Sequence, residues 1–378
     1  MKKHITHIIT GLSADGAEMM LYKLLSVTYS GPFSFSVISL TCMEPIGRKI
    51  QALGIPVTAL GMCRGFPDPR ALVKLATSLR RKQPQLVQTW MYHADLIGGV
   101  AARIAGAIPV VWNIRHSDLH KKRNKRSTIL ISSICAKLSG RLPVRIICCA
   151  ETSKKIHVRL GYDSGKIVVI PNGFEVEKFR PDLSLRYAIR QELNLPPETR
   201  LIGMIARFHP QKDYRNFVNA AIALRSYQPE VHYLLCGEKI KWENSALAHW
   251  IREADMQGSF HLLGQRVDIN RIMASLDIAT LSSAGEGFPN VIGEAMACGV
   301  PCVATNVGDS AYIVGDTGII VPPRDPHALA QAWEKLLSLS LEERIQLGNK
   351  ARKRIMDNFD LQSVAKKYED LWMSVIRS

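Results

Sequence analysis

Short β-branched runs alternate with helix-length segments from one end of the chain to the other, and that rhythm leaves few folds open. In the first half, strands are expected at His4 to Thr10, Phe33 to Leu40, Pro56 to Leu60, Leu86 to Trp90, Pro109 to Asn113, Arg145 to Cys149 and Ile167 to Ile170. Helices are expected between them at Ala17 to Ser26, Pro69 to Lys82, Ala94 to Ala105, Ser127 to Leu138 and Ser153 to Leu160. Apolar runs this short suit strands buried on both faces, and the links are long enough for helical crossovers between parallel neighbours. Repetition of the unit gives a doubly wound α/β domain with helices on both sides of a parallel sheet.

The rhythm restarts after a polar connection, Arg180 to Arg200, which contains Pro181, Pro196 and Pro197 around a short helix. Strands follow at Leu201 to Ala206, His232 to Cys236, Phe260 to Leu263, Ile278 to Leu281 and Pro301 to Thr305, with helices at Tyr214 to Arg225, Ala246 to Ala254, Ile269 to Ser275 and Asn290 to Ala297. Three helices then come in succession, at Pro326 to Leu337, Leu341 to Asp357 and Leu361 to Ile376, one more than a second doubly wound domain needs. The expected division is therefore a domain over 1–178, a similar one over 179–358, and a last helix over 359–378 that packs back on the first. Open sheets of this kind bind ligands at the carboxyl ends of their strands, so two facing domains would make a cleft.

Hydrophobic residues make up 47% of the 378 positions, ample for two cores, and no apolar stretch reaches the length of a membrane span. Met1-Lys2-Lys3 imitates the start of a signal peptide, but the apolar run behind it is short and carries His7, so a cytoplasmic chain is expected. The eight cysteines include no Cys-x-x-Cys pair, which argues against a disulfide framework or a zinc site. Charge is unevenly spread: residues 1–180 hold 27 Lys/Arg against 10 Asp/Glu, and residues 181–378 hold 22 against 23. Unless it is simply well solvated, an excess of +17 confined to one half calls for a polyanionic partner there.

The strongest local motif is the run Glu286-Gly287-Phe288-Pro289-Asn290-Val291-Ile292-Gly293-Glu294, directly after a strand. Pro289 stands where a helix begins, and the helix N-terminus offers N–H groups and a positive dipole end to an anion. Carboxylates at 286 and 294 accept hydrogen bonds from paired hydroxyls, so phosphate flanked by sugar rings, a nucleotide sugar, would fit; alternatively both acids merely complement the dipole. Arg207 and Lys212 follow the strand Leu201 to Ala206 and suit a pyrophosphate, or else are a solvated basic loop. The loop Gly11 to Glu18 spaces its glycines as Gly-x-x-x-x-Gly but continues Ala17-Glu18, so it is no P-loop; its turn at Gly16 feeds a helix N-terminus. His93 comes just after the strand Leu86 to Trp90, and a lone histidine there is as readily structural as chemical. No Asp-x-Asp occurs, so no paired-aspartate site for a divalent ion is offered.

These motifs, with Val169-Ile170-Pro171-Asn172-Gly173 and Gly318-Ile319-Ile320-Val321-Pro322-Pro323, resemble in their order the retaining glycosyltransferases of family 4, over nearly the whole chain. The resemblance implies the GT-B fold, a nucleotide-sugar donor, no metal or other cofactor, and transfer with the anomeric configuration kept. It implies that Arg207 and Lys212 grip the diphosphate and that Glu294 binds the ribose. Glu286 with the amides of Gly287, Phe288, Pro289 and Asn290 would hold the transferred sugar, Gly16 would touch the phosphate, and His93 would be catalytic beside the reacting carbon. Departures fall at Asp15, where a second Gly is frequent, and at Asp309 and Tyr312, where Gly and Glu are; Gly308 is kept.

Arg115 and the run Lys121, Lys122, Arg123, Lys125 and Arg126 precede a helix of the first domain, on the side expected to meet the acceptor. They suit an anionic membrane surface or a lipid-diphosphate, and no aromatic interleaving points to nucleic acid. The expected function is a metal-independent retaining transferase that uses a UDP-sugar and a lipid-linked or saccharide acceptor in surface polysaccharide synthesis, held peripherally on the inner face of a membrane. The rivals are a nucleotide-sugar epimerase on the same fold and a non-enzymatic basic protein of the membrane surface.

Overall fold

The structure, a computed structural model, describes residues 2–13, 16–62, 69–116 and 125–377. The chain begins β1 (Lys3–Ile9), α1 (Gly16–Thr28), β2 (Phe33–Ser39), α2 (Pro45–Ala52), β3 (Val57–Ala59), α3 (Pro69–Lys82), β4 (Leu86–Trp90), α4 (Tyr92–Gly106), β5 (Val110–Ile114), α5 (Arg126–Leu138), β6 (Arg145–Cys148), α6 (Glu151–Arg159) and β7 (Ile167–Val169). It continues α7 (Leu183–Glu192), β8 (Leu201–Ile205), α8 (Tyr214–Arg225), β9 (His232–Cys236), α9 (Ser245–Glu253), β10 (Phe260–Leu262), α10 (Ile269–Ser275), β11 (Ile278–Leu281), α11 (Asn290–Ala297), β12 (Cys302–Thr305), α12 (Ser310–Val314) and β13 (Gly318–Val321). The helices α13 (Pro326–Leu337), α14 (Leu341–Phe359) and α15 (Leu361–Arg377) close it. Two compact units result, Met1–Gly173 with Leu361–Ser378, and Phe174–Asp360.

Among the described residues the first unit holds a seven-stranded sheet in the order β3-β2-β1-β4-β5-β6-β7, parallel throughout. Right-handed crossovers place helices according to the direction in which the strands advance. Thus α1 and α2 lie on one face with α15, while α3, α4 and α5 lie side by side on the other. α15 buries Leu361, Val364, Ala365, Tyr368, Trp372 and Val375, a stripe at helical spacing, against Phe33 and Trp90. Its Trp372 Nε1 donates to Gln88 Oε1 in the middle of the fully buried β4, which satisfies the oxygen of that side-chain amide. The last helix thus packs on the first unit, as its surplus in the sequence implied.

The second unit holds a six-stranded parallel sheet in the order β10-β9-β8-β11-β12-β13. Its core gathers Phe217, Tyr233 and Phe260 around Trp333, whose Nε1 donates to Thr280 Oγ1. The connecting helix α7 is pinned by buried Arg190 and by Arg186, which both pair with Asp277 at the foot of β11. The units part at Gly173 rather than at 178 because Phe174 belongs to the second: its N–H donates to Phe359 O, and its ring stacks on Phe288. A Cβ on Gly293 would lie 2.0 Å from that ring, so the glycine in the middle of α11 is there to let Phe174 in. Helix α2, helix α12 and strand β13 were not expected as elements from the sequence.

Candidate active site

In the second unit two loops leave the carboxyl ends of neighbouring strands β8 and β11 and are tied together. After β8 the chain passes Arg207 and His209 and makes one 3-10 turn over Pro210–Lys212, and Asp213, with φ of 50°, turns it into α8. Asp213 Oδ1 accepts from Asn216 N–H, capping that helix. After β11, Ser282 Oγ donates to the carbonyls of Lys212 and Asp213, Gln211 donates through Nε2 to Gly285 O, and Ala284 N–H returns a bond to Gln211 O. The outcome is that Lys212 Nζ donates to Glu286 Oε1 at 2.5 Å, while Ser283 Oγ donates to the same oxygen at 2.6 Å. The carboxylate is therefore aimed by two donors. A lysine ammonium has three N–H groups, so this pairing leaves it able to meet a phosphate as well. Arg207 is exposed on the same loop.

Beyond Glu286 the chain runs into α11 through Gly287, Phe288 and Pro289. Phe288 is buried between Phe174 and Phe359, so only its backbone is offered to a ligand. Pro289 caps the helix and has no N–H, which corrects the expected amide cradle to Gly287, Phe288 and Asn290. Asn290 opens α11 and Glu294 stands one turn on, both half-buried. The loop is braced from behind by Gly308, whose φ is 55° and whose Cβ, if it had one, would meet Gly287 O at 2.3 Å, and by Asp309, whose N–H donates to Gly287 O. The roles of Ser283, Gln211 and Asp309 were missed in the sequence; the retained Gly308 was the available signal. Tyr312 is half-exposed, its ring edge against Phe359.

In the first unit, Gly16 is the exposed first residue of α1, and Leu12 N–H just before it donates to Glu44 Oε2. His93 lies in the first turn of α4, directly past the carboxyl end of β4. The turn is strained: Met91 takes φ of 73°, rare for a residue with a Cβ, and is held there by its N–H on Asn113 O and its carbonyl on Asp95 N–H. Burial holds the His93 imidazole below its usual pKa, so it is neutral near pH 7.

Two family models divide the chain between them: Glycosyltransferase Family 4 matches residues 1–178, and Glycosyl transferases group 1 matches residues 199–339. The chain is a glycosyltransferase built from a Family 4 domain and a group 1 domain. Similar curated proteins include a UDP-Gal:α-D-GlcNAc-diphosphoundecaprenol α-1,3-galactosyltransferase of Escherichia coli, 25% identical, with 90% of this chain and 89% of that one covered. An N,N'-diacetylbacillosaminyl-diphospho-undecaprenol α-1,3-N-acetylgalactosaminyltransferase of Campylobacter jejuni is 23% identical, with 97% and 98% covered. The crystal structure of HepE from Anabaena in complex with UDP superposes with a TM-score of 0.87 at 21% identity, over 99% of this chain and all (100%) of that one. The two doubly wound units are those of the GT-B fold.

Other expected residues of this glycosyltransferase fall differently. Arg115, grouped with the basic run from sequence, is anchored inside the first unit: it donates to Tyr368 OH at 3.2 Å and to Asn172 Oδ1, and lies over the Trp90 ring. Lys121, Lys122 and Arg123 lie outside the described residues; Lys125 and Arg126 are exposed at the start of α5. Among the described residues no group of three or more His, Cys, Asp or Glu could hold a metal, and no helix is long and apolar enough to cross a membrane. The Cys148 thiol is pushed up to about 12, mainly by burial, which leaves it unreactive.

Proposed function

We propose that this glycosyltransferase moves a sugar from a UDP-sugar to a lipid-linked saccharide acceptor at a membrane surface, without a divalent metal and with retention at the anomeric carbon. The observation that carries the reading is the aimed Lys212–Glu286 pair at the edge of β8 and β11, beside the N-terminus of α11. Arg207 and Lys212 bind the diphosphate and stabilise the charge that grows on it, in place of a metal. Glu294 accepts from the ribose hydroxyls, and Glu286 accepts from hydroxyls of the sugar being transferred. Support for the donor and acceptor classes comes from the E. coli relative, named for UDP-Gal and a diphosphoundecaprenol acceptor, and from HepE, solved with UDP.

In the transfer the bond from the anomeric carbon to the phosphate oxygen breaks, and a bond to the acceptor oxygen forms on the same face. The acceptor's proton passes to the departing phosphate oxygen, so no enzyme nucleophile is needed. A neutral His93 donates a hydrogen bond to the sugar rather than serving as a charged acid. The test is transfer from a panel of UDP-, GDP- and ADP-sugars to a lipid-diphosphate acceptor in excess EDTA, with the product's anomeric configuration read by proton coupling. An inverted product, activity lost to EDTA and restored by magnesium or manganese, or conversion of the donor with no acceptor present would overturn it.

A further inference from the structure

Part of the positive excess of the first half lies on one layer of helices, where almost no carboxylate offsets it. From Pro69 to Leu138 the described residues include a single carboxylate, Asp95, and it is buried. The helices α3, α4 and α5, side by side on one face of the sheet, expose Lys74 and Arg81, Arg103, and Arg126 and Lys137. None of these cations is paired with a described carboxylate. The exposed positions of α5 recur at helical spacing, Arg126, Leu130, Ser133 and Lys137, and so do those of α3, Val73, Lys74, Thr77 and Arg81. Large aliphatic side chains sit among the charges: Val73 is 65% exposed and Leu130 62%. The opposite layer is mixed in sign, as in the Lys366–Asp370 pair on α15.

We infer that the outer face of α3, α4 and α5 docks on an anionic lipid bilayer. Cations next to an acidic leaflet each strengthen binding about fivefold, and aliphatic side chains that enter the interface add apolar burial that salt does not screen. Nucleic acid would be met by aromatic rings that stack on bases, and these three helices expose none: their one aromatic, Tyr92, is buried. The docking area thus extends beyond the run from Lys121 to Arg126 onto α3, α4 and α5. The inference rests on the lipid-linked acceptor for its purpose, but its test does not depend on transfer.

The experiment is flotation of the full chain with phosphatidylcholine vesicles containing phosphatidylglycerol, against pure phosphatidylcholine, over a salt series. Acidic vesicles should capture the protein at low salt and lose it as salt rises. The triple variant K74E/R81E/K137E should bind about a hundredfold more weakly or worse. Leu130→Asp should cost binding even at the salt concentration where half of the parent stays bound. Each variant should melt with the parent, since every position is exposed, and should transfer sugar to a soluble, short-chain acceptor as the parent does. Equal capture by neutral vesicles, undiminished capture of the triple variant, or tighter binding to single-stranded or duplex DNA than to acidic vesicles would overturn the docking face. Flotation as expected without transfer to any acceptor would instead leave the face standing and sink the proposed function.

Discussion

The Tyr92 hydroxyl lies 2.6 Å from His157 Nε2, and the other ring nitrogen of that histidine lies 2.7 Å from the Ser153 carbonyl oxygen. A carbonyl only accepts, so Nδ1 carries the proton and Nε2 accepts from the tyrosine. This buried pair ties the first turn of α4 to α6 one residue before His93. A second tie follows at Asp95, which accepts from Thr89 Oγ1 and whose carboxyl is kept well above the usual range by burial.

The neutral state of His157 gives stability a pH dependence. Burial pushes its pKa down to about 4, whereas an unfolded histidine titrates near 6.5. Between those values the unfolded chain binds more protons, so stability is complete above pH 6.5 and is lost as pH falls toward 4, by at most about 3 kcal/mol. Denaturant unfolding of the parent and of His157→Gln across that range should show a shallower slope in the variant. Equal slopes would remove His157 from the effect. His7, buried and pushed down to about 3, keeps some slope in both.

Arg207 and Lys212 should contribute separately to diphosphate binding. Replacing either by Ala removes a charge-assisted bond of about 1.5 to 3 kcal/mol, a loss of roughly tenfold to a hundredfold in UDP affinity. Calorimetry with UDP checks this, and unchanged affinity in both variants would take them out of the site. Lys212→Ala carries a second consequence, because it also removes one of the two donors that aim Glu286.

The two carboxylates should separate by ligand. Glu294→Gln is expected to weaken UDP itself, since the ribose is present with or without the sugar. Glu286→Gln is expected to leave UDP affinity near the parent value, releasing Lys212 from its partner, and to suppress transfer. The opposite pattern in paired binding and turnover measurements would exchange their assignments.

The contact between Gly293 and Phe174 is steric and can be tested as such. Gly293→Ala places a Cβ 2.0 Å from the Phe174 ring and should destabilise by about 1 to 3 kcal/mol, as overpacking does. Combining it with Phe174→Leu should cost less than the two separate effects added together, a coupling that a double-mutant cycle measures. Additive effects would mean that the glycine serves something other than packing.

The sequence was legible where one physical signal dominated. Strands such as Leu86–Trp90 and helices such as Tyr214–Arg225 announce themselves because burial on both faces and amphipathic spacing leave no alternative. Helix α2 was missed because eight residues, Pro45–Ala52, with two basic and two isoleucine side chains, carry too little period to separate them from a loop. The candidate site residues could be named one by one from the sequence, but not how they are arranged as a set. Nothing in the spacing of Lys212 and Glu286 says that they meet, since that depends on β8 and β11 being neighbours in a sheet whose order departs from the order in sequence. Arg115 was assigned by proximity to a basic run, and its true surroundings, Tyr368, Asn172 and Trp90, come from three distant parts of the chain.

His93 should matter to turnover and not to donor affinity. It stands in a turn strained at Met91 and fastened behind by Tyr92 and Asp95, which is how a side chain is held in one place before substrate arrives. As a neutral ring it can donate one hydrogen bond to a sugar whose charge builds only as the bond to phosphate breaks. An interaction gained in the transition state lowers kcat when it is lost and leaves ground-state binding alone. His93→Ala should therefore reduce kcat by about a hundredfold, within the usual range for a single preorganised donor, with UDP-sugar affinity within about twofold of the parent. His93→Gln, which keeps a donor, should recover part of the loss. A His93→Ala enzyme that turns over at the parent rate, or one whose entire defect is in donor binding, would remove His93 from the chemistry and leave the strained turn as a structural feature of α4.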